Sequence, residues 1–229
     1  MRILFKTNYR QDLNLAKHSG HRFWYGLLIL ILFAAPMMLD GYYIGEATRV
    51  LIYAMAGLGL MVLTGFTGQA SLGHAAFLAI GAYTNAWFLA QGFSSFVALP
   101  MAALLSMIGG LLVAIPAARM SGIYLAIATL AFAIIVEDFA GHLTSITGGN
   151  RGMMVDVPML FGYQIRQSWE LYLFVLSVLV VATLAVLNIL RSPLGRAMIA
   201  VRDSEVSSQA LGVNPMKIKV FAFTVSAAI

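Results

Sequence analysis

One uninterrupted apolar run sets the class of fold that this chain can adopt. Residues 171–190 carry no charged side chain, and fourteen of these twenty residues are Leu, Val, Ile or Phe. Twenty apolar residues are the length that an α-helix needs to cross about 30 Å of hydrocarbon. On an insertion scale the run contributes about −4 to −8 kcal/mol, which Ser177, Thr183 and Asn188 do not offset. The run therefore predicts a membrane-spanning helix.

The rest of the chain has the same apolar character. Of its 229 residues, 61% are hydrophobic and only 10% are charged, whereas soluble domains average about 25% charged residues. The absence of cysteine excludes disulfides, thiolate metal sites and cysteine nucleophiles. The net charge of +5 comes from fourteen Lys and Arg spread along the chain, a distribution that does not favour nucleic-acid binding. These features predict an all-α, polytopic integral membrane protein.

Five further apolar segments precede residues 171–190 in the chain, and we interpret each of them as a span. They cover residues 24–39, 50–64, 74–90, 97–118 and 122–136. Asn214-Pro215 is a helix start, but the apolar residues that follow at 221–229 are too few to cross a bilayer. We therefore expect six spans plus the start of a truncated seventh. They form a membrane domain at 23–229 that follows a cytoplasmic segment at 1–22.

Basic residues predict the orientation of the bundle. With the N-terminus in the cytoplasm, eleven Lys and Arg lie inside, and only Arg49, Arg151 and Arg166 lie outside. The reverse orientation would violate the positive-inside rule. Glu137 and Asp138 then fall at the outer interface, where two adjacent acids cost least, with a gating or coupling role as the alternative.

A glycine-rich segment at 65–74 interrupts two apolar helices. Its glycines and polar side chains include Gly65, Gly68, Gln69, Ser71, Gly73 and His74. Irregular backbone at membrane depth is tolerated only where protein or water satisfies it, and transporters use such breaks to meet substrates. Two interpretations stay open: an ordinary cytoplasmic turn, which the spacing slightly favours, and a substrate path. A single histidine such as His74 is more typical of packing than of proton relay or metal binding.

Small residues recur at every fourth position of the fourth predicted span. They are Ala102, Ser106, Gly110, Ala114 and Ala118. This spacing places them on one helix face, and membrane helices approach each other closely along such faces. We interpret the face as a packing surface. The polar loop at 144–152 either meets a delivery partner or only connects two spans.

The stretch at 191–219 is predicted to form two short amphipathic helices on the cytoplasmic side. Its first helix begins at Ser192-Pro193, a hydroxyl N-cap followed by proline at the first helical position. The residues expected to share the apolar face of this helix are Leu194, Met198 and Val201. A plain connector between two spans would not need an amphipathic helix.

The second helix of this stretch is expected to be capped by Asp203, with Glu205 in its first turn and Gly212 after its end. The stretch has too few basic residues to favour a helix lying on lipid. We therefore interpret it as a docking surface for a soluble partner. The sequence holds no Gly-Lys dipeptide and hence no phosphate-binding P-loop. Any ATP hydrolysis is expected on a separate subunit.

Several of these motifs together resemble one family of membrane permeases. They are residues 57–77 (GLGLMVLTGFTGQASLGHAAF), 81–83, 124–132, 147–152 (TGGNRG), 192–205 (SPLGRAMIAVRDSE), 210–213 and 219–226. Over roughly residues 40–229 the chain is similar to the permease subunits of ATP-binding-cassette importers for branched-chain amino acids, of the LivM type. The resemblance implies that residues 191–219 are a coupling loop that inserts into an ATPase subunit.

The same resemblance implies the partners and the mechanism. We expect two cytoplasmic ATP-binding subunits, a second permease, and a periplasmic or surface binding protein, in a bacterial inner membrane. Transport would proceed by alternating access, without a cofactor, a metal or catalysis by this chain. The residues predicted to couple to the ATPase are Arg202, Asp203, Glu205 and Gly212. The residues predicted to line the substrate path are Gly65, Gly68, Gln69, Ser71 and His74.

Two alternative functions stay open at this stage. Within the family that the chain resembles, the alternative is a permease for urea or short-chain amides, because those permeases look much alike. In another class, an ion-gradient-driven carrier or channel would need no cytoplasmic docking helices. A membrane-embedded enzyme is disfavoured because the sequence shows no paired carboxylates, metal cluster or nucleophile–base spacing.

Overall fold

A computed structural model describes residues 19–155, 157–160 and 163–229 of the chain. The predicted cytoplasmic segment at 1–22 lies outside the described residues as far as residue 18, and a helix already begins at Ser19. Four of its five basic residues, which contributed to the predicted orientation, lie outside the described residues as well, and the fifth, Arg22, lies in this first helix.

Helices dominate the described chain, because its apolar runs satisfy their backbone groups internally. The first six helices are α1 (Ser19–Met38), α2 (Gly41–Leu60), α3 (His74–Ala90), α4 (Ser95–Ala117), α5 (Ile123–His142) and the short α6 (Thr144–Thr147). A π-helical turn, Met61–Gly65, extends α2, and a 3₁₀ turn, Gly149–Arg151, follows α6. The later helices are α7 (Ser168–Arg191), α8 (Pro193–Asp203), α9 (Glu205–Ala210) and α10 (Pro215–Ala228).

A two-stranded hairpin precedes α7. Its strands are β1 (Met159–Leu160) and β2 (Tyr163–Gln164), and they pair antiparallel. The Ser94 hydroxyl donates to the carbonyl of Met159 at 3.0 Å, which ties the hairpin to the start of α4. The Tyr163 hydroxyl donates to Glu170 at 2.7 Å, and this carboxylate raises the pKa of Tyr163 above its usual value. Glu170 also completes the capping box that starts α7.

The prediction of a helical membrane bundle is confirmed. Four described helices are long and apolar enough to cross a membrane: Gly41–Gly65, Ser95–Ala117, Ile123–His142 and Ser168–Arg191. The predicted spans at 24–39 and 74–90 are helical but shorter, so the count of six is not confirmed. The second predicted span, expected at 50–64, begins earlier, at Gly41. Glu46 and Arg49, which were expected to precede it, lie within α2 and pair with each other at 3.3 Å.

The buried core lies mainly where α10 packs between α2, α3 and α4. Its largest apolar side chains include Leu63, Phe77, Met198 and Phe223. A second cluster joins α2 to α7 through Leu51, Tyr172 and other side chains, and the Tyr172 hydroxyl also donates to the Leu32 carbonyl of α1 at 3.0 Å. The apolar residues at 221–228 are therefore helical and largely buried within the protein.

The five small residues, four in α4 and Ala118 at its C-cap, form the packing face that their spacing predicts, since all five are buried. At Gly110, an added Cβ would come within 2.4 Å of Ala227 on α10. At Ser106, the hydroxyl donates to the carbonyl of Phe77 on α3 at 3.2 Å. The face thus holds α3 and α10 against α4, as small faces do between membrane helices.

The helix ends near the C-terminus follow the predicted capping, with two corrections. Ser192 and Asn214 cap α8 and α10 as expected. The cap of α9 is Ser204 and not Asp203, because Asp203 is the last residue of α8 while Ser204 has the extended backbone that an N-cap requires.

On α8, Leu194 is exposed rather than buried. Gly195 is buried in its place, and an added Cβ there would lie 2.4 Å from the Leu190 backbone.

Candidate functional site

The glycine-rich segment at 65–74 runs from a contact with α8 to a packed position against α5. Phe77, in the first turn of α3, is bonded to Ser106, the middle residue of α4. The Leu72 amide donates to the Thr129 hydroxyl of α5 at 3.0 Å. An added Cβ at Gly73 would lie only 2.1 Å from the Thr129 carbonyl oxygen. The end of the chain break is therefore enclosed by α5 and lies within about one helical turn of the residue that contacts the middle of α4.

Burial alternates along the segment. Thr67, Gln69, Ser71 and Gly73 are buried, while Gly68, Ala70 and Leu72 between them are exposed. The segment is therefore not an ordinary exposed turn: one edge is packed into the protein and the other edge is open.

The end of α8 contacts this segment directly. The Arg202 guanidinium donates to the carbonyl of Gly65 at 2.9 Å and to the Asp203 carboxylate at 3.1 Å. Gly68 has φ +68°, a conformation that favours glycine, and its Cα faces the Arg202 side chain, which an added Cβ would meet at 3.0 Å. The structure thus brings Arg202 and Asp203, two predicted coupling residues, next to Gly65 and Gly68, two predicted path residues.

A second connection runs through α10. The Gln69 amide nitrogen donates to the Lys219 carbonyl at 3.3 Å and to the Thr67 hydroxyl at 3.0 Å. The Lys219 ammonium is almost fully buried and forms an ion pair with Glu205 of α9, whose side chain is half-exposed. Gln69 is therefore linked to Glu205 through one residue. We call residues 65–74 together with Arg202, Glu205 and Lys219 the junction.

Three buried polar atoms of the junction have no hydrogen-bond partner within the described part of the chain. They are Gln69 Oε1, Ser71 Oγ and His74 Nδ1. Native proteins pair the great majority of such atoms with protein or ordered water. These three atoms lie behind the open edge, on its packed side, where an ordered water or a polar group that reaches this side could bond to them. His74 also contacts the core, since an added Cβ at Gly59 would lie 2.9 Å from its Nε2.

The remaining predicted coupling residue, Gly212, lies in the turn after α9 with φ +85° and no heavy atom within 4 Å of an added Cβ. Two large apolar side chains of the same region are exposed, Val206 by 81% and Leu211 by 82%. A cavity of about 440 Å³, lined by Glu205, Gln209 and the start of α10 among others, opens next to them. This end of the molecule thus presents apolar and charged groups outward.

Sequence reasoning missed two residues that hold the junction together. In the sequence Lys219 is only the last residue of the predicted coupling loop, and Thr129 is only part of a predicted apolar span. A usable signal for Lys219 was its place inside an apolar helical run, where an unpaired ammonium is costly. For Thr129 the sequence carried no comparable signal, because isolated threonines are common in membrane helices and bond to their own backbone.

These features together define a polytopic helical membrane protein with a chain break between two of its apolar helices. The chain matches, over residues 42–229, the family described as "Branched-chain amino acid transport system / permease component". The match covers well over half of the chain, so this protein belongs to that family of transport permeases.

Two curated relatives are similar over most of the chain. The high-affinity branched-chain amino acid transport system permease protein LivM of Salmonella typhimurium is 37% identical over 88% of this chain and 53% of its own length. The protein of the same name from Escherichia coli is 36% identical over the same shares. The chain thus spans about half the length of the curated relatives it matches. No solved structure gives a significant match.

Proposed function

We propose that this chain is the membrane-spanning subunit of an ATP-driven importer for branched-chain amino acids. In this proposal it lies in a bacterial inner membrane with its N-terminus in the cytoplasm. It works beside a second permease, with cytoplasmic ATP-binding subunits and an external binding protein. The family and the names of the two relatives support the substrate and the permease role.

The observation that carries the proposal is the open edge of residues 65–74. Non-helical backbone with free polar groups does not face hydrocarbon, because each unsatisfied group costs several kcal/mol there. Where the spanning helices surround it, this edge must therefore meet water or another protein chain. A water-filled path for a polar solute satisfies this requirement. In this role Gly65 and Gly68 keep the backbone free of side chains, while Gln69, Ser71 and His74 supply hydrogen bonds when the packed edge opens during the transport cycle.

The junction supports coupling between this path and the ATPase. In the proposed cycle, closure of the ATP-binding subunits moves α8 and α9, which carry Arg202 and Glu205. Because these residues bond to Gly65 and, through Lys219, to Gln69, the movement reaches the chain break directly. The exposed Val206 and Leu211 give the ATPase an apolar surface to grip. The path then alternates between outward and inward openings.

Uptake by the full-length complex in vesicles tests the driving force. We expect L-leucine uptake to require ATP on the side of the ATP-binding subunits and to continue when an uncoupler collapses the ion gradient. Uptake that continues without ATP and stops with the uncoupler would instead identify an ion-gradient-driven carrier.

A cross-linking experiment tests the docking surface separately. The chain has no native cysteine, so Val206→Cys and Gln209→Cys each introduce a single reactive site. Both side chains are exposed, and both are expected to cross-link to the ATP-binding subunit in the assembled complex. Met154→Cys, at the 98% exposed residue of the opposite loop, is the matched control and is expected to give no such product. Equal products from all three variants would refute the coupling assignment.

A further inference from the structure

A cavity of about 530 Å³ lies between α3 and α5, next to the turn that follows α6. This volume is within the range of about 300–1,000 Å³ that small-molecule sites occupy. Much of its wall is alanine, contributed by Ala75, Ala76, Ala79, Ala133 and Ala140. The cavity begins at the residues immediately after the chain break and extends to the polar turn at 149–152. It therefore connects the candidate path to the loop side of the bundle.

Two opposite charges line this cavity, and the chain satisfies neither of them. Glu137 of α5 and Arg151 of the 3₁₀ turn both border the space. Within the described residues, neither side chain forms a hydrogen bond or an ion pair, with the other or with any neighbour. The adjacent Asp138 differs, since it pairs with His142 at 3.4 Å.

The backbone holds Arg151 at this place through glycines. Gly148, Gly149 and Gly152 all have positive φ, between 61° and 74°. A Cβ at Gly148 would lie 2.3 Å from the Gly152 carbonyl oxygen, and one at Gly149 would lie 2.8 Å from the Thr144 side chain. Only glycine fits such a turn without strain. The turn is thus a tightly folded support that presents one arginine to the cavity.

We propose that the α3–α5 cavity binds an apolar α-amino acid as its zwitterion. Arg151 faces the carboxylate, because a guanidinium donates paired hydrogen bonds to that group. Glu137 faces the ammonium, and the alanine wall contacts the apolar side chain. This inference rests on the proposed importer function and adds the site at which the permease itself recognises the solute.

Other solutes fit this pair of charges less well. A neutral molecule such as urea or a short amide would leave both Glu137 and Arg151 without a charged partner. An amine without a carboxylate would leave Arg151 unsatisfied, and a carboxylate without an amine would leave Glu137 unsatisfied. A site with one positive and one negative side chain discriminates most strongly against ligands that lack one of the two complementary charges.

Cysteine protection in the purified full-length complex tests the site without relying on transport. Ala79→Cys places a reporter on the cavity wall, and Ala140→Cys provides a second reporter if the first variant assembles poorly. Alkylation of this chain by N-ethylmaleimide is followed by mass spectrometry. We expect L-leucine to slow alkylation, while 3-methylbutylamine, 4-methylpentanoate and urea at the same concentration protect much less.

Charge-neutralising variants then test the two recognition residues. Glu137→Gln and Arg151→Gln should each raise the half-protecting L-leucine concentration by roughly tenfold or more, because each loses a hydrogen bond between charged groups. Asp138→Asn and Arg166→Gln are the matched controls outside the cavity, and each should change this concentration by less than about twofold.

The outcomes separate this inference from the proposed function. If L-leucine gives no protection while ATP-dependent uptake persists, the cavity assignment is wrong and the importer proposal stands. If protection and ATP-dependent uptake are both absent, both proposals fail. Equal protection by L-leucine and by its two singly charged analogues would overturn recognition of the zwitterion, and protection by urea alone would replace it with an amide site.

Discussion

The junction and the α3–α5 cavity differ in whether their charged side chains have partners within the chain. At the junction, Lys219 is buried and paired with Glu205, and Arg202 is bonded to a backbone carbonyl and to Asp203. In the cavity, Glu137 and Arg151 line open space without any partner among the described residues. Charges that the chain satisfies itself hold elements together, whereas charges that it leaves open are available to a ligand. The charges of the junction therefore connect helices, whereas those of the α3–α5 cavity are available to bind a ligand.

The largest effect is expected where the junction backbone packs most tightly. In Gly73→Ala the new Cβ would lie 2.1 Å from the Thr129 carbonyl oxygen, a backbone atom that cannot move aside alone. Overpacking of this kind costs about 3 kcal/mol, so we expect a thermal midpoint several degrees lower in detergent or nanodiscs. Gly57→Ala, with no atom within 4 Å, is the control and should leave the midpoint unchanged or raise it. Equal midpoints for the two variants would contradict this packing.

The next effect concerns the buried ion pair. Glu205→Gln leaves the Lys219 ammonium buried without its carboxylate, which we expect to cost about 2 kcal/mol, a value reduced because Glu205 is half-exposed. Lys219→Met removes the buried charge and should cost less, and the double variant should recover part of the loss. Thermal unfolding of the three variants measures this order.

Lys217→Met is the matched control for the ion pair, because Lys217 is exposed two residues earlier on the same helix. It should leave the thermal midpoint almost unchanged. A loss in Lys217→Met as large as that in Glu205→Gln would show that the general charge of α10 matters rather than the specific pair.

Local signals in the sequence predicted much of the fold. Long apolar runs place α4 and α7 within three residues, because each spanning helix must bond its own backbone, whereas α5 continues to His142, six residues past the predicted end of its span. Ser192 and Asn214 mark helix starts, and the five small residues of α4 mark its packing face. These predictions succeeded because their causes lie within one turn or one helix. The cap of α9 failed because Asp203 and Ser204 are both good caps, and only the backbone conformation selects between them.

The site depends on causes that are distant in sequence. The glycines at 65–74 predict a break between two helices. The position of this break in the bundle, however, follows from the contact of α3 with Ser106 of α4 and from the contact of Leu72 with Thr129 of α5. The pairing of Lys219 with Glu205 likewise requires α9 and α10 to fold back on each other. The α3–α5 cavity brings Glu137 together with Arg151 through a glycine turn whose shape the motif TGGNRG does not specify by itself.

A smaller effect is expected from the hydroxyl that supports the segment. Thr129→Val keeps the side-chain shape but leaves the Leu72 amide without its partner, at an expected cost of about 1 kcal/mol. Thr183→Val, which loses only a bond to the preceding turn of its own helix, is the control and should cost less. Thermal midpoints compare the two variants, and an equal loss would mean that the contact between Leu72 and Thr129 adds no stability.

The smallest effect is expected in the cavity, where the same exchange of glutamate for glutamine has a different consequence. Without ligand, Glu137→Gln and Arg151→Gln should each change the free energy of unfolding by less than about 0.5 kcal/mol, because neither exposed side chain has a partner to lose. The contrast with Glu205→Gln isolates the role of pairing, since the chemical change at Glu137 and Glu205 is identical. A loss at Glu137 that matched the loss at Glu205 would mean that the cavity charges already hold the fold together. They would then no longer be free to receive a solute.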